Sequence, residues 1–144
     1  TIFRPILMYG WHYPQSRPNP ATWIIEKLSK GHTINMVTDI YENPLYNIQC
    51  GEILWQIILK KPRGIIHAAG GEIVNRYEFA VKLAETFGFS SSLIHPVDSS
   101  FFPSIAPRPK NTSFETKRIR EELGIVPISV KEGLGKMKIQ ASIQ

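Results

Sequence analysis

The sequence predicts an α/β protein in which short apolar strands form a parallel sheet covered by amphipathic helices. Two observations carry this expectation. From Gly64 to Gly88 the chain reads GIIHAAGGEIVNRYEFAVKLAETFG, an apolar run too short for a helix, then a Gly70-Gly71 turn, then an amphipathic helix. An apolar run bounded by glycines fits a strand buried on both faces, the pattern of a parallel sheet between helices. Immediately upstream, a helical stripe over Tyr46 to Lys61 leads through Pro62 and Gly64 into that strand. Helix, short loop, strand and helix therefore alternate, as they do in α/β sheets.

Each element has its own local cause. Thr1 to Gly10 opens on a short apolar strand centred on Ile6, Leu7 and Met8. The chain starts as if already inside a sheet, yet Ile65 to Ala69 is the only other strongly apolar strand, so residues N-terminal to this chain are expected to supply neighbours. Trp11 to Pro20 reads as a proline-bearing loop, after which Asn19 as cap and Pro20 at the first helical position launch a helix. Ala21, Ile24, Ile25 and Leu28 recur at helical spacing, and Gly31 ends the element. Thr33 to Thr38 alternates as a half-buried strand, and Asp39 to Pro44 reads as a turn-rich loop.

In the next helix Cys50, Ile53, Leu54, Ile57 and Ile58 trace the stripe, with Lys60 and Lys61 at the negative end of the helix dipole. Asn75 and Glu78 form a capping box for the helix that follows the central strand, and Gly88 supplies its stop. Leu93 to Val97 reads as a short strand and leads into a long loop containing Pro103, Pro107 and Pro109, of a length that is usually functional or disordered. Two short helices close the chain, one capped by Thr116 and ending at Gly124, the other opened by a Ser129–Glu132 capping box.

At 144 residues the chain is one domain with a real core. Hydrophobic content of 42% and charged content of 20% are those of a soluble globular protein. No apolar run approaches the roughly 20 residues that span a bilayer, so no membrane partner is expected. The N-terminus has neither a basic leader nor a cleavage site, and Cys50 is the sole cysteine, which fits a reducing, cytoplasmic setting. The net charge of +5 is spread over several elements without a recognition-helix motif, which argues against nucleic acid. A nucleotide diphosphate would satisfy the same charge with one or two arginines.

Several chemistries are excluded by spacing. The Gly70-Gly71 turn lacks the G-x-G-x-x-G fingerprint of a dinucleotide cradle, and Glu72 would set a negative charge against the phosphates. The four histidines, His12, His32, His67 and His95, show no i, i+4 pair, so no metal site is expected; His67 reads as a hydrogen-bonded core residue of the central strand. There is no nucleophile elbow and no P-loop. Asp39 and Glu42 form a carboxylate pair only in sequence, and in a loop such residues serve turn chemistry.

The more specific signal is a set of segments in fixed order. Arg4-Pro5 precedes Tyr9-Gly10; Asp39 precedes Asn43-Pro44-Leu45-Tyr46; GIIHAAG precedes Arg76-Tyr77-Glu78-Phe79-Ala80; Ala106-Pro107-Arg108-Pro109-Lys110-Asn111 leads to Glu115-Thr116-Lys117 and Leu123-Gly124-Ile125. In this order they resemble the C-terminal, substrate-binding half of the dTDP-4-dehydrorhamnose reductase family, within the extended short-chain dehydrogenases/reductases, from roughly Arg4 to Leu134. The resemblance implies a Rossmann-like fold of which this chain holds the final strands and a small mixed helix/strand lobe.

In that family an N-terminal Rossmann domain carries a glycine motif and a catalytic Tyr-x-x-x-Lys. Neither is found here: none of the five tyrosines has a lysine four residues later. The resemblance therefore implies no catalytic residue in this chain, NAD or NADP in the full-length protein, and no cofactor held tightly by this chain alone. It places Pro5, Ile6 and Leu7 beside the nicotinamide and makes Arg108 the candidate partner of a substrate phosphate, with Tyr46 and Arg17 as further candidates. The implied partners are a nucleotide-diphosphate sugar and the N-terminal domain; a homodimer is a possible assembly.

Two departures bear on specificity. Leu7 stands where the rhamnose-pathway reductases usually carry tryptophan, and Gln49 where they carry aspartate. Arg4-Pro5 is closer to nucleotide-sugar epimerases and dehydratases of the superfamily, which form one alternative. A non-catalytic regulatory subunit similar to the methionine adenosyltransferase beta subunit is the other.

Overall fold

A computed structural model describes residues 1–13, 15–102 and 108–142 of the chain. Three helices start where their caps place them. Helix α1 (Pro20–Ser29) follows Asn19, whose side chain accepts from the amides of Ala21 and Thr22. Helix α3 (Arg76–Phe87) follows the Asn75–Glu78 box and ends at Gly88, with φ 82°. Helix α5 (Val130–Ala141) follows the Ser129–Glu132 box and runs three residues past Lys138. Each cap satisfies amides that the first turn cannot pair internally.

Helix α2 (Asn47–Lys60) ends at Lys61, itself left-handed, just before Pro62. Helix α4 (Lys117–Leu123) departs from expectation, because Thr116 occupies the cap position without a side-chain hydrogen bond.

The strands are β1 (Ile2–Pro5), β2 (Met8–Tyr9), β3 (Ile34–Val37), β4 (Tyr41–Glu42), β5 (Leu45–Tyr46), β6 (Ile65–Ala68), β7 (Val74–Asn75) and β8 (Ile94–Val97). Among the described residues they form four two-stranded units rather than one continuous sheet. Pairs β1·β6, β2·β5 and β3·β8 are parallel, and β4·β7 is antiparallel. The first strand is shifted from its expected centre. Ile2 to Pro5 pair with Ile65 to Ala68, and the Ile6 amide closes the ladder on the Ala68 carbonyl at 2.9 Å. Extended pairing then resumes at Met8 beside β5. Part of the expected Asp39–Pro44 loop is strand β4, since Tyr41 and Glu42 find partners in β7.

Two apolar clusters hold these pieces. The larger gathers Ile24 and Leu28 of α1, Phe79 and Leu83 of α3, and Leu134 and Met137 of α5 around Tyr9. The second packs Cys50, Ile53 and Ile57 of α2 against Ile66 of β6 and Ile119 and Leu123 of α4. Each fully buried aliphatic side chain contributes about 1.5–3 kcal/mol relative to its exposed state. Leu54 and Ile58 were expected in the same stripe, but they are 44% and 53% exposed and share the outer face of α2 with Trp55 and Leu59. The helix is apolar on more of its circumference than α4 and β6 cover.

Gly70 and Gly71 serve close approach of backbones. A Cβ on Gly70 would fall 2.2 Å from the Pro44 carbonyl oxygen, and one on Gly71 would fall 2.2 Å from that of Pro127. Their amides donate to the carbonyls of Asn43 (3.0 Å) and Ile128 (2.8 Å). The central turn thereby binds the segment before α2 to the segment before α5.

Candidate functional site

A cleft of about 1130 Å³ opens between the β2 end, the N-terminus of α1, β3, β4 and the N-terminus of α3. Its floor is apolar, from Leu7, Ile24, Val37, Ile40 and Phe79, and Trp23 and Phe102 stand at its wall. Its polar groups include Arg17, Asn35, Glu42, Asn75, Arg76, Arg108 and Lys110. An apolar cavity with a few convergent polar groups is the usual form of a small-molecule site. Four cationic side chains against one carboxylate define an anion-accepting cleft.

The segment bearing Arg108 is built onto the scaffold by two ties. Backbone bonds run from the Tyr41 amide to the Lys110 carbonyl (2.8 Å) and from the Thr112 amide to the Tyr41 carbonyl (2.9 Å). Asp39 provides the second tie: it pairs with Lys110, and its oxygens accept from the Ser99 amide and hydroxyl, each at 2.9 Å. The Lys110 hydrogen bond is the main cause holding the Asp39 carboxyl below its ordinary range. Lys110 is thus paired with Asp39, and Arg17, Arg76 and Arg108 are the remaining cations of the cleft, set against the single carboxylate of Glu42.

Arg76, the first residue of α3 just past β7, comes close to Glu42 of β4. Arg76 Nε lies 3.7 Å from Glu42 Oε1, and it is buried without a hydrogen-bond partner among the described residues. Burial pushes the Glu42 carboxyl up, and the charge of Arg76 pulls it back down. Asp39 and Glu42 therefore have separate cationic partners and do not act as a pair.

The structure brings together only some of the residues expected from sequence. Leu7, Arg17 and Arg108 line the cleft; Pro5 is exposed at the end of β1, and Ile6 packs on the second apolar cluster. Tyr46 does not join them. It is 4% exposed, stacks obliquely on Tyr9, and donates its hydroxyl to Gln140 at 3.3 Å, so it is a packing residue. His67 is also corrected: it stacks on Phe114 with centroids 4.5 Å apart, and no hydrogen bond of its ring is found among the described residues. Pro103, Ala106 and Pro107 of the proline-bearing loop lie outside the described residues.

Sequence reasoning missed Glu42 and Arg76 as wall residues, although Arg76 opens one of the segments singled out by order; Glu42 was weighed only as turn chemistry. No group of three or more metal-ligating side chains occurs among the described residues, and no helix is long and apolar enough to cross a membrane.

The fold is that of the extended short-chain dehydrogenase/reductase proteins. A dTDP-4-dehydrorhamnose reductase of Bacillus anthracis, solved in complex with NADP, superposes with a TM-score of 0.86 at 23% identity, covering 96% of this chain and 48% of that one. The reductase of Yersinia enterocolitica gives 0.77 at 26% identity, covering 94% and 47%. Over residues 4–142 the sequence matches the model of the RmlD substrate binding domain, and the chain belongs to that family. In sequence it is 22% identical over 147 aligned positions to the dTDP-4-dehydrorhamnose reductase of Aggregatibacter actinomycetemcomitans, and it spans 50% of that protein's length.

Proposed function

We propose that this chain is the substrate-binding part of a cytoplasmic, NAD(P)-dependent nucleotide-sugar reductase of the dTDP-4-dehydrorhamnose reductase type. The observation that carries the proposal is the arginine-bearing cleft, with Arg108 held over it by the Asp39–Lys110 tie, in a chain of this family. A nucleotide-diphosphate sugar matches the cleft in chemistry: its phosphates answer the guanidinium groups, and its base and sugar rings answer the apolar floor. Arg108 and Arg17 would take phosphate oxygens, and Leu7 would face the reacting end of the sugar.

The glycine turn does not fit a dinucleotide. Both of its amides are already paired, and carbonyl oxygens fill the space above both glycines. Cofactor binding is therefore assigned to a Rossmann-type domain preceding Thr1, with Pro5, Ile6 and Leu7 at the junction. The free edge of the lobe supports this assignment. Among the described residues β1 pairs only with β6, Ile2 and Ile65 are exposed, and the apolar row Leu54, Trp55, Ile58 and Leu59 is uncovered on α2. An open strand edge and an exposed apolar helix row are surfaces that a continuing sheet would cover. Hydride transfer and its proton donor would belong to that preceding domain.

The test is nucleotide-sugar binding by the Arg108→Ala variant of the longer polypeptide. The proposal expects affinity to fall on the order of tenfold or more, the usual loss for a charge-assisted phosphate contact. Unchanged affinity would remove Arg108 from the site.

A further inference from the structure

We infer that Arg76 is a second diphosphate-recognising residue of the cleft, and that Glu42 is its resident counter-ion, which an incoming phosphate displaces. The inference rests on the nucleotide-sugar reading above and assigns a further residue to that site.

Three observations converge on it. First, Arg76 lines the cleft with a side chain 39% exposed, while its Nε is buried with no hydrogen-bond acceptor among the described residues, which leaves a charged donor poorly satisfied. Second, the facing carboxylate stands 3.7 Å away, close enough for Coulombic attraction and too far for a hydrogen bond. A guanidinium has five donors in a planar fork, and that of Arg76 belongs to a residue lining the cleft. Third, the placement is rigid. Arg76 is the first residue of α3, immediately after the cap residue Asn75 and inside the Asn75–Glu78 box, and Glu42 sits on β4, whose partner Val74 is two residues before Arg76.

Arg76 takes no part in the helix cap, which Asn75 and Glu78 complete between themselves. Its alternative role is structural, as the cation that makes burial of Glu42 tolerable. The raised Glu42 carboxyl is consistent with weak compensation by Arg76.

The experiment is equilibrium binding of dTDP and dTMP to the longer polypeptide and to its Arg76→Gln, Glu42→Gln and doubly substituted variants, with thermal melting of each. Arg76→Gln is expected to weaken dTDP on the order of ten- to a hundredfold and dTMP less, with weaker dependence on salt. Glu42→Gln should bind dTDP as tightly as the parent or several-fold tighter, because a like charge has left the site. The double variant should melt like the parent yet bind as poorly as Arg76→Gln. Restoration of dTDP affinity in the double variant would show a purely structural arginine and overturn the inference. Parent-like dTDP affinity in Arg76→Gln would overturn it too, while leaving the nucleotide-sugar reading intact. Failure of the parent itself to bind dTDP would refute that reading, and the inference with it.

Discussion

Asn43 and Phe114 are joined by a reciprocal pair of hydrogen bonds: Asn43 Nδ2 donates to the Phe114 carbonyl, and the Phe114 amide donates to Asn43 Oδ1, both at 2.9 Å. Asn43 Nδ2 also donates to the Gly70 carbonyl at 3.1 Å, and the Asn43 carbonyl accepts from Gly70 at 3.0 Å. One buried amide thus fastens the segment that follows Arg108 and the central glycine turn to the β4–β5 connection. Substitution by alanine leaves the Phe114 and Gly70 backbone groups without these partners and is expected to cost roughly 2–4 kcal/mol. Urea unfolding with an unchanged m-value measures this; a loss below about 0.5 kcal/mol would mean that the clamp is redundant.

Gln49 does the same for the segment before α5. Its Nε2 donates to the Val126 carbonyl and its Oε1 accepts from the Ile128 amide, both at 3.0 Å, in a side chain only 5% exposed. Gln49→Glu keeps the acceptor but sets a carboxylate oxygen against the Val126 carbonyl. It should destabilise by roughly 1–3 kcal/mol at neutral pH, and part of that loss should return when the carboxylate is protonated in acid. An identical loss at both pH values would contradict the assigned orientation of the amide.

Two glycines of α5 should respond in opposite senses to alanine. A Cβ on Gly133 would lie 1.9 Å from Tyr9 Oη and 3.3 Å from Tyr46 Cβ, whereas one on Gly135 meets nothing within 4 Å. Gly133→Ala is expected to cost about 1–3 kcal/mol by overpacking, and Gly135→Ala to gain about 0.5–1 kcal/mol from helix propensity. Paired melting curves decide it; equal effects would disprove the close approach of α5 to Tyr9.

The two carboxylates of the 39–42 segment should give stability opposite pH signatures. Asp39 is lowered from 3.8, chiefly by its hydrogen bond to Lys110, so its contribution is present above that value and lost as pH falls through the folded one. Glu42 is raised from 4.5 by burial, so its penalty is absent in acid and accrues as pH rises through 4.5 to the higher folded value. The gap between parent and Asp39→Asn should therefore close toward acid. Glu42→Gln should be more stable than the parent at neutral pH, with that advantage vanishing in acid. Gaps that change with pH in the same sense would refute the assignment of partners.

Helix starts were legible because capping is local: Asn19, Asn75 and Ser129 each meet their amides within three residues. Thr116 fails because its backbone, at φ −104° and ψ 11°, is not in the extended conformation of the three successful caps. Strand pairing was less legible. Ile6 to Met8 is the most apolar part of the first segment, yet the ladder is set by long-range register with Ile65 to Ala68, which periodicity does not encode. Leu54 and Ile58 satisfied the helical period but find no partner here, since pattern reveals an apolar face without revealing what covers it. In the site, Arg108 and Arg17 came from the family resemblance rather than from any local pattern, and both line the cleft. Arg76 was hidden because the first residue of a helix reads as solvated until β4 brings Glu42 against it.

The central claim is that the cleft receives the sugar nucleotide of a reductase whose cofactor domain precedes Thr1. The most direct test is NAD(P)H oxidation by the longer polypeptide, and by this 144-residue chain alone, with a dTDP-4-keto-6-deoxy sugar as substrate. The account predicts oxidation by the longer polypeptide and none by the isolated chain. A longer polypeptide that carries no Rossmann-type segment before Thr1, or that leaves NAD(P)H unoxidised at saturating sugar nucleotide, would contradict it.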